Sequence, residues 1–447
     1  MTKVAELTTD GWRGQPSKKW SELDVLSKAA AFAANLKSDQ SLAIGFDGRA
    51  GSRELAMLAA RAFSNLGVNC IVSSAITPTP SVGRFVASQK RVGAGLIFTA
   101  SHNPPGDFGL KVRLEDGLPP IQLPSVPQER RDDFASLSFD ETKTSFLIDD
   151  RINEHYRQTV CEPLSQAIKL FPGEVVVDAV FGALGALSSS LKGVRWRRST
   201  PAPFFFGITP DPVLRQEAEP EMMVALSECK HSENAIVFMT DGDADRLCLY
   251  TQASGYVTST EQTMALIYAG LPVKQIISTY VMESTLQQIA EARHIEYRST
   301  SVGFKNIVAD WKTTDQNATI GVEPNGGLAF ANSSVDFFER DGLATASLIL
   351  TQFGSIEALD FAIKQTRSLR RFDSRQAVSP LEPEQLINVI TGAWPGAAKE
   401  LRSNIYELMW SEGWRVLIRR SGTEPLTRCY VEGPDKLHSW FRDKLSK

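Results

Sequence analysis

Ala235-Ile236-Val237-Phe238-Met239 leads almost directly into Asp241-Gly242-Asp243-Ala244-Asp245-Arg246. An unbroken apolar run of that length reads as a buried strand. Open α/β sheets place their ligands in loops that follow such strands. Three carboxylates at alternate positions repel one another unless a cation sits among them, and hard oxygens in a compact cluster suit Mg²⁺. The loop is not an EF-hand, because Arg246 stands where that motif needs Gly and Gln252 replaces the distal Glu. The competing reading is a solvated acidic turn. Its place at the end of an apolar strand favours the metal.

Outward from this loop, strand-like and helix-like segments alternate. Ser41 to Phe46 reads as a short buried strand, and residues 52 to 66 as a helix stopped by Gly67. Ser21 is the expected N-cap of an earlier helix, with Asp24 in its first turn and apolar residues at Leu23, Leu26, Ala30, Ala33 and Leu36. Further strands are expected at 70–72, 95–98, 175–178 and 276–279. This alternation predicts an α/β fold with mostly parallel sheets. Breaks near Arg151, after Arg246 and near Arg367–Arg371 divide the chain into 1–150, 151–246, 247–366 and 367–447. The last of these mixes helix with strands at 415–418 and 427–431, as a small α+β domain.

Composition bounds the function. A chain of 447 residues corresponds to about three domains at roughly 150 residues each. Its 42% hydrophobic and 22% charged residues rule out wholesale disorder. With 48 basic and 52 acidic residues, the net charge of −4 offers no general field for nucleic acid or an anionic membrane. An acidic ligand must therefore be held by local cations. Five cysteines without a C-x-x-C pair point to a reducing compartment rather than a disulfide framework or zinc site. Met1-Thr2-Lys3-Val4-Ala5-Glu6 carries no signal-peptide core, and no apolar run reaches the roughly 18 residues of a membrane span. A soluble, cytoplasmic protein is expected.

Three more polar loops follow apolar strands. Thr99-Ala100-Ser101-His102-Asn103-Pro104-Pro105 offers Ser101 as a nucleophile, without the G-x-S-x-G elbow of hydrolases. His102 is its chain neighbour, where side chains are expected to diverge, which argues against a Ser–His dyad. Alone, the loop reads better as an ordinary Asn-Pro-Pro turn. Gly321-Val322-Glu323-Pro324-Asn325-Gly326-Gly327 joins a carboxylate to an amide, a donor and acceptor set suited to sugar hydroxyls. Arg419-Arg420-Ser421-Gly422-Thr423-Glu424-Pro425 has the cations, hydroxyls and glycine-flanked amides of a phosphate nest. A Pro-Asn-Gly turn and a charged turn are their plain alternatives.

Taken together and in this order, the loops resemble the α-D-phosphohexomutase family. Asp10-Gly11-Trp12-Arg13-Gly14, Gly45-Phe46-Asp47-Gly48-Arg49 and Ser301-Val302-Gly303-Phe304-Lys305 match as well, so the resemblance runs from residue 10 to 425. It implies three related mixed α/β domains and a smaller C-terminal α+β domain around a central cleft. It also implies that Ser101 carries a phosphoryl group, while Asp241, Asp243 and Asp245 hold Mg²⁺ with an oxygen on Ser101. Lys111 matches the lysine near the reacting hydroxyl, with Arg13 as a second cation, and His102 belongs to the same catalytic group. Lys305, Glu323 and Asn325 fall at sugar-binding positions. Arg419, Ser421, Gly422 and Thr423 fall at the loop for the non-reacting phosphate. A hexose 1,6-bisphosphate is the implied intermediate and activator.

Charge arithmetic agrees with that assignment. Three aspartates, a phosphoserine of about −1.5 to −2 and a divalent metal leave a deficit of about −3, for which Arg13, Lys111, Arg246 and Arg419 are the available cations. The chain departs from the family pattern at Pro324, Asn325 and Phe108. Val302-Gly303-Phe304-Lys305 looks like the phosphoglucomutase and phosphomannomutase branches, so glucose and mannose phosphates are the expected substrates. The alternatives are a phosphoglucosamine mutase, a Mg²⁺-dependent phosphomonoesterase and a catalytically silent sugar-phosphate sensor. The expected partners are small hexose phosphates, on a monomer or homodimer.

Overall fold

The computed structural model describes residues 7–8, 11–15, 22–33, 36–37, 39–122, 146–315, 317–332, 337–372, 374–395, 397–402, 405–420 and 426–445. Ser21, Asp10 and residues 421–425 lie outside them. The chain forms two compact units, Met1–Tyr280 with Ala290–Lys364, and Val281–Ile289 with Gln365–Lys447.

The first unit holds three mixed sheets. The first runs, in spatial order, Leu7–Thr8, Gly11–Gly14, Phe108–Arg113, Val92–Phe98, Ser41–Phe46, Asn69–Ser73 and Phe146–Asp149. Its centre is parallel, while Phe108–Arg113 returns antiparallel beside Val92–Phe98. The helix Ser52–Asn65 buries Leu55, Ala56, Ala59, Ala60 and Phe63 against this sheet, at the spacing of one helical face. Gly67, at φ +79°, closes it: its N–H and that of Val68 donate to the carbonyls of Ser64 and Phe63.

The second sheet runs Gly255–Val257, Leu247–Thr251, Ala235–Thr240, Glu174–Asp178 and Val194–Arg197. This corrects the break expected after Arg246. Ala235–Thr240 and Leu247–Thr251 pair antiparallel from Thr240–Leu247 to Ile236–Thr251. The acidic loop is therefore the turn of a hairpin, whose two strands need each other's backbone hydrogen bonds. The third sheet runs Glu296–Thr300, Gln275–Thr279, Thr319–Val322 and Leu328–Ala331. Phe304, Ile307, Val308 and Trp311 of the helix Phe304–Trp311 pack with Phe338 in its core.

The second unit carries a five-stranded antiparallel sheet in the order Ser374–Ser379, Thr427–Glu432, Arg415–Arg420, Ile405–Met409 and Ala397–Arg402. The helices Pro383–Ala393 and Asp435–Leu445 cover it with Leu386, Ile390, Leu437 and Phe441. No single helix among the described residues is long and apolar enough to cross a membrane.

Candidate active site

Ser101 follows the strand Val92–Phe98 and takes a left-handed conformation, φ +54°. For an L-residue this costs roughly 1–2 kcal/mol, so the surroundings must impose it. They do so through a buried pair that composition cannot reveal. Asp47 accepts from the hydroxyls of Thr99 (2.6 Å) and Ser52 (2.7 Å), and Thr99 Oγ1 in turn accepts the Ser101 N–H at 2.8 Å. Arg49 donates to the carbonyls of Ser101 (2.5 Å), Asn103 (2.6 Å) and Pro104 (2.8 Å). Asp47 and Arg49 thus hold the serine loop in shape.

The hydroxyl of Ser101 donates to Asp241 Oδ2 at 2.9 Å. Asp241, Asp243 and Asp245 are all buried, with ligand atoms within 4.8 Å of one another. Asp241 Oδ1 accepts the N–H groups of Asp245 and Arg246. Thr79, at the start of the helix Thr79–Ser88, donates its hydroxyl to Asp243. Among the described residues, Asp243 Oδ1 and Asp245 Oδ1 are buried without a hydrogen-bond donor. Buried carboxylate oxygens without donors are costly, and an oxygen-preferring divalent cation satisfies them. The residues present fit a metal.

Cations crowd this cluster. Lys111 Nζ, from the fully buried strand Phe108–Arg113, lies 2.7 Å from Asp243 and 2.6 Å from Asp245. Arg246 meets Asp211 at 3.3 Å and Asp241 at 3.7 Å. Arg340, not anticipated from sequence, reaches Asp245 at 2.8 Å and Glu323 at 3.1 Å. These neighbours split the three acids. Burial, reinforced by repulsion from Asp243 and Asp245, raises the Asp241 carboxyl well above the usual range. Burial pushes Asp245 the same way, but Arg340, Lys111 and Arg246 prevail and hold it well below. Asp243 is lowered too, burial being outweighed mainly by Lys111.

His102 departs from expectation. Its Nδ1 lies 3.4 Å from Ser101 Oγ, because the left-handed turn at Ser101 brings the neighbouring side chains together. The ring sits between Arg13 Nη1 (3.3 Å from Nδ1) and Arg246 Nη2 (3.3 Å from Nε2). Burial, followed by the repulsion of Arg246 and Arg13, drives its basicity well below the ordinary value, so the imidazole is neutral at pH 7.

The loop 321–327 is tied back to the hairpin: the Leu247 N–H donates to the Gly326 carbonyl at 2.9 Å. Asn325 Oδ1 accepts the Gly327 N–H at 3.2 Å. Lys305 stands in the first turn of Phe304–Trp311 and makes no ion pair among the described residues. Thus Ser101, His102, Arg13, Lys111, the three aspartates, Arg246 and Glu323 form one connected cluster, with Asn325 in the loop of Glu323. Arg419 is in the second unit, on the strand Arg415–Arg420, where its guanidinium donates to Tyr430 Oη at 3.0 Å. Ser421, Gly422 and Thr423 lie outside the described residues.

A serine hydroxyl against a buried, metal-competent acid cluster, ringed by cations, is an arrangement able to support phosphoryl transfer on an α/β scaffold. Family models for phosphoglucomutase/phosphomannomutase match three stretches: α/β/α domain I over residues 5–123, α/β/α domain III over 259–356, and the C-terminal domain over 374–438. The chain belongs to the α-D-phosphohexomutase family. It is 24% identical to the phosphoglucosamine/phosphogalactosamine mutase of Sulfurisphaera tokodaii, over 96% of this chain and 95% of that one. It is 26% identical to the phosphoglucosamine mutase of Corynebacterium aurimucosum, with the same coverage. A solved phosphoglucomutase/phosphomannomutase family protein from Burkholderia thailandensis has the same fold, with a TM-score of 0.75, 20% identity, and coverage of 99% of this chain and 96% of the other.

Proposed function

We propose that this protein interconverts hexose 1-phosphates and hexose 6-phosphates of glucose and mannose, through a phosphoserine at Ser101 and a bound hexose 1,6-bisphosphate. The observation that carries the reading is the 2.9 Å contact of the Ser101 hydroxyl with Asp241, inside an acid cluster that has oxygens to spare. In the forward half-reaction the phosphoryl group leaves Ser101 Oγ for the free sugar hydroxyl, whose proton passes through a neighbouring base to the freed Ser101 oxygen. The bisphosphate then turns over, and its other phosphate restores the phosphoserine.

Asp241, Asp243 and Asp245 would hold Mg²⁺, which supplies charge stabilisation to the transferring group when bound. Arg246 and Arg13 flank the serine loop through His102 and offset the phosphate's charge. Lys111 is the assigned proton carrier. Lys305, Glu323 and Asn325 are assigned to the sugar, and Arg419, Ser421, Gly422 and Thr423 to the second phosphate.

A second reading, phosphoglucosamine mutase, is favoured by the names of the curated relatives. One experiment separates the two: turnover of the purified, Mg²⁺-loaded protein on glucose, mannose and glucosamine 1-phosphates, with a trace of the matching bisphosphate. Faster turnover of the first two is expected. A clear preference for glucosamine 1-phosphate would replace this reading with the second.

A further inference from the structure

The segment just before the helix Gly342–Phe353 brings one more cation to the site than the sequence suggested. Arg340 is buried, as are both carboxylates it touches, Glu323 and Asp245. Its Nη1 donates to Glu323 Oε2 at 3.1 Å and its Nη2 to Asp245 Oδ2 at 2.8 Å. The guanidinium lies 4.9 Å over the ring of Phe304, which fixes its plane. Its stem crosses the sugar loop where residue 327 has no side chain. A Cβ on Gly327 would fall 2.5 Å from Arg340 Cδ and 3.2 Å from both Arg340 Cγ and Asn325 Oδ1. Gly327 is therefore what lets the arginine through.

The consequence concerns the charge a sugar meets. A bare, buried Glu323 carboxylate would favour a cationic substituent. Paired with Arg340, it keeps lone pairs for a hydroxyl, and the neighbouring fixed positive charge repels an ammonium group. We propose that Arg340 is a specificity-determining residue, which selects neutral hexose phosphates and rejects the protonated amine of 2-amino sugars at the Glu323–Asn325 loop. This rests on the assignment of that loop to sugar binding under the proposed function.

The test compares kcat/KM for glucose 1-phosphate and glucosamine 1-phosphate in the Mg²⁺-loaded wild type, Arg340→Met, Arg340→Lys and Gly327→Ala. Like-charge contacts at binding surfaces are strongly discriminating, so Arg340→Met should narrow the preference for glucose 1-phosphate about tenfold or more, mainly through KM of the amino sugar. Arg340→Lys, which keeps the charge, should stay within about threefold of the wild-type ratio. Gly327→Ala displaces the stem without touching the charge and should narrow the ratio in the same direction. It also carries the test should Arg340→Met fail to fold. An unchanged ratio in a folded Arg340→Met, equal narrowing by Met and Lys, or a wild type that prefers glucosamine 1-phosphate would each overturn the proposal. Calorimetric binding of glucose 6-phosphate and glucosamine 6-phosphate gives the same comparison without turnover. A wild type inactive on every sugar would thus sink the mutase reading, while the binding ratios still decide the role of Arg340.

Discussion

Ser101 is held in a conformation that its side chain disfavours, and the cost is recoverable. Ser101→Ala and Ser101→Gly should both abolish turnover and lack the single phosphoryl increment in intact mass expected of the wild type. Glycine pays nothing for a left-handed φ, so Ser101→Gly should be more stable than Ser101→Ala by about 1 kcal/mol in urea unfolding. Equal stabilities would mean that the turn is not strained. Asp243→Asn removes one anionic ligand that has a buried oxygen without a donor. The rise in melting temperature produced by Mg²⁺ in the wild type should shrink or vanish, and the rate should fall about a hundredfold, as for losses on the order of 3 kcal/mol in barrier stabilisation. An unaltered Mg²⁺ response would remove the aspartate cluster from the metal site. These residues were legible because each sits in a polar loop after an apolar run. Arg340 was not. It lies in Glu339-Arg340-Asp341-Gly342, where Asp341 caps the helix Gly342–Phe353, and the start of a helix is all that such a segment announces.

At the scale of elements, the serine loop and the acidic hairpin turn meet backbone to backbone. A Cβ on Gly242 would lie 2.6 Å from the Ser101 carbonyl oxygen, which is backbone and cannot swing aside. Gly242→Ala should therefore push the two loops apart, lower stability by about 1–3 kcal/mol as overpacking does, and slow turnover beyond what the stability loss explains. A variant with wild-type kinetics would show that this close approach is dispensable. Strands and helices with a regular apolar period were readable to within a few residues. Ser41–Phe46 begins and ends where the sequence suggested, and the helix from Ser52 ends one residue short of the expected 66. Several elements were hidden, two of them next to the site. Phe108–Arg113 is buried along its whole length yet carries Lys111 and Arg113, and two cations mask a buried strand in any reading by hydropathy. Leu247–Thr251 was severed from its partner because an acidic turn resembles a linker.

Across the whole molecule, all five cysteines are free and buried, in cores of both units. Burial pushes the thiols of Cys70, Cys161, Cys248 and Cys429 up to about 12, and raises that of Cys229. It also raises the phenols of Tyr156 and Tyr256. In the unfolded chain these groups ionise near their ordinary values, about 8.5 for Cys and 10 for Tyr. The folded state thus keeps protons that the unfolded state has lost, so this contribution to stability is complete below about pH 8 and declines as pH rises through 9 towards 12. The urea midpoint should fall between pH 8 and pH 10.5. A thiol reagent at pH 8 should consume no cysteine in the native protein and all five after unfolding. Rapid native labelling would contradict the burial.

By itself the amino-acid sequence determined the order of the loops, the residues of the serine loop and of the acid cluster, and the α/β alternation. All of these are local, written in residues adjacent along the chain. Only the tertiary structure decided which charges neutralise which. Arg340 meets Asp245 across 95 positions and Lys111 meets the same carboxylate across 134. Ser101 and Asp241 are 140 apart. Buried charges are tolerable only when paired, and those pairs are chosen by the packing of separate sheets, which no local pattern records.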